Sequence, residues 1–222
     1  MRLVVLLLVV FATSLAALAQ QRFDFKVRED MFAGMDGDTE AFDRAMKLIA
    51  DTLAKDPDHA EALVWRGDGR LFMAGQAFQR GDFAAGRKLY GEGLADMERA
   101  GALAPNDIAV RVPRASGLLP MARAVRRADR AEADRLTRLA VGDFEFVLQA
   151  SQQFWSSMSE HGRGEVLGAL ADGWLSLDDS AKANVFLDRM IAELPGTPYA
   201  KNAAIRRADP PARTPVTCLG CH

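Results

Sequence analysis

The chain has 222 residues, 49% of them apolar and 26% charged, a balance that suits a packed soluble fold and excludes disorder over most of its length. Lys and Arg number 28 against 30 Asp and Glu, a formal charge of −2 that becomes −3 when Arg2 leaves with a cleaved leader. So close a balance supplies no general attraction for nucleic acid or anionic lipid.

Met1-Arg2 opens onto an apolar run from Leu3 to Ala19 that closes in Ala17-Leu18-Ala19. A charged start, a short apolar stretch and a small-x-small site predict a secretory signal peptide over 1–19. Its span, about 17 residues, is marginal for crossing a bilayer. No cysteine follows it, which argues against a lipid anchor. The mature protein is expected to start near Gln20, to be periplasmic or otherwise extracytoplasmic, and to keep no stable membrane span.

The carboxylates of "MDGDTEA" at 35–41 lack the glycine and twelfth-position glutamate of a calcium loop. They are expected to cap a helix starting near Thr39. Beyond them, proline-marked boundaries recur in "KDPDHAEA" at 55–62, "LAPNDIAV" at 103–110 and "ELPGTPYA" at 193–200. Each ends one apolar-periodic stretch and caps the next. Tight polar turns lie between them, in "QRGDFAA" at 79–85, "RRADRAEA" at 126–133 and "SLDDSAKA" at 176–183. The pattern predicts an all-α ladder of antiparallel hairpins, with an unpunctuated boundary near Ser151 and a period of about 45 residues. Leu63, Phe72, Leu89, Leu94, Leu136, Leu139, Val147, Leu167, Leu170 and Ile191 recur at helical spacing and are expected to line the seams. Trp65, Trp155 and Trp174 are expected in the core as well. The arginines between Arg123 and Arg138 are interleaved with Asp129, Glu132 and Asp134, and read as a solvated helix face. Pro113 and Pro120 are expected to kink the helix that carries them.

The last unit resembles the tetratricopeptide repeat over 164–197. Counting back from Pro195, Leu170 and Ala171 stand where that pattern has its Leu-Gly/Ala pair. Trp174 stands in its Tyr position, Ala183 in its Ala position and Leu187 in its Phe position. Ala45 and Ile49 before Pro57 give a weaker match over 38–57, and the middle units depart from the 34-residue length. The resemblance implies a TPR-like solenoid over 20–208 whose concave surface binds other proteins.

After Ala208 the chain becomes "DPPARTPVT", in which Pro210, Pro211 and Pro215 forbid a helix. Residues 209–222 therefore read as an extended tether, its nine-residue stem able to reach on the order of 28 Å at about 3.1 Å per residue. The tether ends in Cys218-Leu219-Gly220-Cys221-His222, which contains every cysteine of the chain. C-x-x-C-H is the attachment motif of c-type haem. Cys218 and Cys221 would form thioethers with the two vinyl groups, and the His222 imidazole would be the proximal iron ligand. A bare disulfide or thioredoxin-like pair uses the same thiols, but no strand pattern accompanies it, and zinc would need a fourth ligand. Resemblance to c-type cytochromes covers these five residues alone. No downstream segment supplies the usual methionine, so the second axial position must come from His161, Met158 or the more distant His59, come from a partner, or stay open. A proline-rich tether with nothing to fix its direction favours the open state. Arg206, Arg207 and Arg213 are candidates to pair with the propionates.

Two function classes follow. One is an extracytoplasmic repeat protein carrying one covalent haem c, for electron transfer or docking to a protein redox partner or periplasmic complex. The other is a haem-free TPR-like adaptor whose terminal cysteines form a disulfide. A peroxidase-like haem enzyme is a third, requiring an open sixth position. The body carries no Ser-His-Asp ordering and no phosphate loop, so an electron carrier or binding protein is favoured over an enzyme.

Overall fold

The computed structural model describes residues 22–209 and 214–217. The leader, Arg213 and the motif residues Cys218, Cys221 and His222 lie outside the described residues. Among the described residues there is no strand. The elements are α1 (Asp24–Met35), α2 (Thr39–Lys55), α3 (Ala60–Gln79), α4 (Phe83–Leu103), α5 (Ile108–Val125), α6 (Arg130–Ala150), a 3₁₀ segment (Gln152–Ser157), α7 (Glu160–Ser176), α8 (Ser180–Glu193) and α9 (Pro198–Ala208).

Short polar side chains begin most of these helices. Asp38, Asp82, Asp107, Asp129, Ser159, Asp179 and Thr197 each accept a hydrogen bond from a backbone N–H of the following turn, which satisfies a donor with no partner inside the helix. The acidic cluster at 35–41 thus acts as a cap through Asp38 Oδ1, 3.0 Å from Ala41 N. Helix α3 uses His59 instead, whose Nδ1 accepts from Ala62 N at 3.2 Å. The boundary expected near Ser151 falls where α6 ends and the 3₁₀ segment starts. Pro113 and Pro120 both lie within the single helix α5.

Each helix packs on its chain neighbour, and α3 also touches α1 and α5, which joins successive pairs into one body. Such short connections make paired helices antiparallel. One core runs from Phe23 and Val27 through Leu63, Leu118 and Leu136 to Leu170. A second, around Leu167, Leu187, Met190 and Leu194, binds α7, α8 and α9. Of the expected seam residues, Leu63, Leu136, Val147, Leu167 and Leu170 are buried, and Phe72, Leu89, Leu94 and Ile191 are half-buried. Leu139 is a correction, being 40% exposed beside Asp134, Arg135 and Arg138 in a shallow surface depression. The arginines around it are neutralised locally, Arg126 by Asp134 at 3.0 Å and Arg135 by Glu132 at 2.7 Å. Trp65 is buried, and Trp155 and Trp174 are half-buried.

Three hairpins share a polar device that apolar periodicity does not show. The fourteenth residue of each second helix is an acid, Asp96 in α4, Asp143 in α6 and Glu193 in α8. Asp96 accepts both arms of the Arg66 guanidinium from α3, at 2.7 and 2.8 Å, and also pairs with Arg70. Asp143, 1% exposed, accepts two bonds from Arg114 at 2.6 Å and one from Arg111 at 2.8 Å, both arginines from α5. Glu193 accepts from Trp155 Nε1 and Arg189 Nε, each at 2.7 Å, while Arg163 of α7 reaches its backbone carbonyl at 3.5 Å. A forked guanidinium on a carboxylate admits one geometry, so the Asp96 and Asp143 clamps fix how far one helix slides along the other, while Glu193 ties its helix to the 3₁₀ segment and α7. Small residues let the helices come close enough, as at Gly67, where a Cβ would stand 2.8 Å from the Gly93 carbonyl.

Buried acids and exposed ion pairs should respond differently to substitution. Asp143→Ala leaves two half-buried guanidinium groups without their carboxylate and should cost about 3 kcal/mol, read as a lower urea midpoint. Arg135→Ala, on the exposed face, should cost well under 1 kcal/mol. Asp68 of α3 is buried against the α5 backbone at Gly117, and that burial pushes its carboxyl up to about 7. Its folded pKa exceeds the unfolded value, so its contribution is complete below about pH 4 and is lost as the pH rises towards 7, at about 1.4 kcal/mol per unit. Asp68→Asn should remove that slope, seen as the difference between variant and parent unfolding curves from pH 4 to 8.

Candidate functional site

The described tail residues, Thr214 to Thr217, lie against the last three helices. Arg206 Nη1 donates to the Thr214 carbonyl at 3.0 Å, and Asn202 Nδ2 donates to the Pro215 carbonyl at 2.9 Å. Partners that step back one turn along α9 as the tail advances make the tail antiparallel to α9. Val216 is fully buried in the second core with Leu167, Ala171, Tyr199 and Ala203. The segment read from sequence as a tether is thus seated on the helical body at Val216, which joins its second core. The Thr214 and Pro215 carbonyls, which have no helical partner, find side-chain donors on α9.

The seat is built by glycine. At Gly168 of α7 a Cβ would fall 2.0 Å from the Val216 carbonyl oxygen, and one turn earlier, at Gly164, 2.5 Å from the Tyr199 ring. The missing side chains let α9 and the tail approach the α7 backbone. Arg206 of α9 also pairs with Asp172 of α7 at 3.3 Å, a carboxyl that burial pushes up against the pull of Arg206 and Arg123. Near the other end of both helices, His161 meets Tyr199. These two links at opposite ends make α7 and α9 parallel, so the tail runs antiparallel to both, from the Asp172–Arg206 end towards the His161–Tyr199 end.

The candidate second ligands separate clearly. His161 stands exposed in the first turn of α7, with its Nδ1 2.8 Å from the Tyr199 hydroxyl. That hydroxyl donates to Glu165 Oε1 at 2.7 Å. His161, Tyr199 and Glu165 thus form one hydrogen-bonded chain between the first turns of α7 and α9. His59 Nδ1 is occupied as the cap of α3, accepting from Ala62 N. It packs on the Phe23 ring at 5.0 Å between centroids, at the start of α3 and far along the chain from the tail. Met158 precedes α7, and its Cε is 3.4 Å from a Cβ built at Gly162. Arg206 is engaged as described, and Arg207 pairs with Asp188 at 3.0 Å.

Among the described residues no three His, Cys, Asp or Glu side chains converge into a metal cluster, and no helix is long and apolar enough to cross a membrane. Comparison of the chain with protein-family models, with curated proteins and with solved structures finds no match. What the site can do must therefore be argued from its own residues. The signal for its glycine face was present as His161, Gly164, Gly168 and Asp172 at helical spacing, but nothing local says that a tail fills it.

The seating of Val216 makes a prediction of sign. In the whole chain Gly168→Ala should destabilise, because the new methyl falls on the Val216 carbonyl. In a chain ending at Asp209 the same change should stabilise by up to about 1 kcal/mol, the ordinary helix preference for alanine. Urea unfolding of the four proteins measures both.

Proposed function

We propose that this is an extracytoplasmic, TPR-like helical protein that carries one covalent haem c on Cys218 and Cys221, with His222 as proximal ligand, and passes electrons to or from a docked protein partner. The C-x-x-C-H spacing carries the reading, since two thiols and an adjacent imidazole at those offsets are what thioether attachment and axial ligation require. The apolar leader at 1–19 supports it, because thioether attachment belongs to the extracytoplasmic side. The fold is compatible: an all-helical body closes a core of its own, while Val216 brings the chain to the edge of that core two residues before Cys218.

The TPR-like part of the reading rests on the last unit. Leu170, Ala171, Ala183 and Leu187 are all fully buried, Ala171 and Leu187 in the core that joins α7, α8 and α9 and Leu170 at the end of the first core. Trp174 is half-buried under the Lys182 ammonium, 3.7 Å from the ring centroid. Small and large residues alternate across that seam as the repeat pattern requires. Bound haem would supply a one-electron couple; the chain's own task is to hold it covalently and to set what surrounds it.

Export of the whole chain with c-type haem maturation machinery should yield a protein that stains for haem after denaturing electrophoresis, and Cys218→Ala with Cys221→Ala should abolish the stain. Undiminished stain in the double variant would sink the assignment. A colourless exported protein with an oxidised Cys218–Cys221 pair would instead identify the haem-free adaptor.

A further inference from the structure

We infer that the seam between α3 and α5 is a pH-gated hinge: ionisation of Asp68 draws water into the seam and loosens α1–α4 from α5–α9. The hinge goes beyond the haem reading above and does not depend on it.

The place of the seam is the first observation. Helices α1 to α4 meet α5 to α9 chiefly where α3 packs on α5, with a smaller contact between α4 and α5. At that seam Gly117 of α5 leaves the space that Asp68 fills. A Cβ there would stand 2.2 Å from Asp68 Oδ1 and 2.9 Å from Met97 Cε of α4. Pro113 and Pro120 lie on either side of Gly117 within α5. Each lacks the N–H that would close a turn of the helix, which lowers the cost of bending α5 where the seam opens.

The second observation is that nothing pairs with Asp68 in that space. It is 8% exposed, and among the described residues no hydrogen bond or ion pair reaches its carboxyl, which burial alone pushes up to about 7. The charged groups around it are bound to one another. On α3 itself, Arg66 and Arg70 hold Asp96 of α4, and Arg70 also faces Glu92 at 3.6 Å. On α5, Arg114 is bound to Asp143 of α6. Helices α1 and α2 reach this part of α3 with Met31 and Met46, which close on Gly69. Across the same junction Tyr90 donates to Glu132 at 2.5 Å, and Arg135 faces Glu98 at 3.6 Å. Arg135 first, and then Tyr90, hold the Glu132 carboxyl down at about 2, so that link does not titrate with Asp68.

A buried carboxyl with no donor stays dry at low cost only while it is protonated. In an open, hydrated seam it returns to its ordinary 3.8. The closed seam therefore holds the proton more tightly than the open one. Closure is fully favoured below about pH 4, and its ratio to the open state falls about tenfold per pH unit until about pH 7.

The test is amide hydrogen exchange of the whole chain, compared helix by helix with Asp68→Asn at the same pH, so that the intrinsic pH dependence of exchange cancels. At pH 4 parent and variant should agree. At pH 7 the parent should exchange its α3 and α5 amides at least about tenfold faster than the variant, while α7 and α8 stay equally protected in both. Asp68→Leu cannot ionise either. It should match Asp68→Asn, and it keeps the test decisive where the amide variant accumulates poorly. Equal exchange of α3 and α5 in parent and variant at pH 7 overturns the inference. So does faster exchange that spreads evenly to α7 and α8, which is a loss of global stability with no hinge.

Discussion

The register between paired helices is the constraint on which the rest of this structure depends, and buried carboxylates under arginine forks set it. Apolar faces on two helices can slide by a turn with little loss of contact, since leucine and alanine seams are nearly alike along their length. A guanidinium that meets a carboxylate through two bonds cannot slide, because a shift breaks both bonds and strands the acid away from water. Asp96 and Asp143 play this part in the first and middle hairpins. In the last, Glu193 gathers Trp155 from the 3₁₀ segment, Arg189 from its own helix and Arg163 from α7. The 3₁₀ segment, α7 and α8 are thereby tied together, and α9 starts only five residues after Glu193.

With that register in place, the outer face of α7 becomes a surface with graded properties. Its first turn presents an imidazole oriented by Tyr199, its middle turns have glycine where neighbouring backbone must approach, and its last turns hold Asp172 against Arg206. Helix α9 lies parallel to it and supplies Asn202 and Arg206 as donors to carbonyls of the tail. The described tail residues lie outside any helix, and these donors satisfy two of their carbonyls. Proline contributes here by limiting the freedom of the unbound tail, so that less entropy is lost when it is seated.

Much of the fold was readable beforehand. The capping residues, the tight turns at 79–85, 126–133 and 176–183, and the break near Ser151 all follow from local rules of helix termination. They appear as expected because each depends on residues within one or two turns of one another. Leu139 was misread for a related reason: helical spacing places a residue on a stripe, and a stripe wider than its partner leaves its margin in solvent. The three acid clamps were missed because an acid and an arginine some 30 residues apart leave no apolar period to follow, although Asp96 and Asp143 are 47 residues apart and Glu193 follows 50 later.

By itself, then, the amino-acid order determined the helical class and the helix ends, since these rest on short-range sterics and capping. It left His161, Met158 and the more distant His59 open as second ligands, because what each side chain touches depends on packing as well as on sequence. Only tertiary packing decided that Tyr199, 38 residues beyond His161, turns its hydroxyl towards that ring, and that Val216 occupies the gap left by Gly168. Both are contacts between elements whose separation along the chain is bridged by the folding of α8 between α7 and α9, and no local rule contains that geometry.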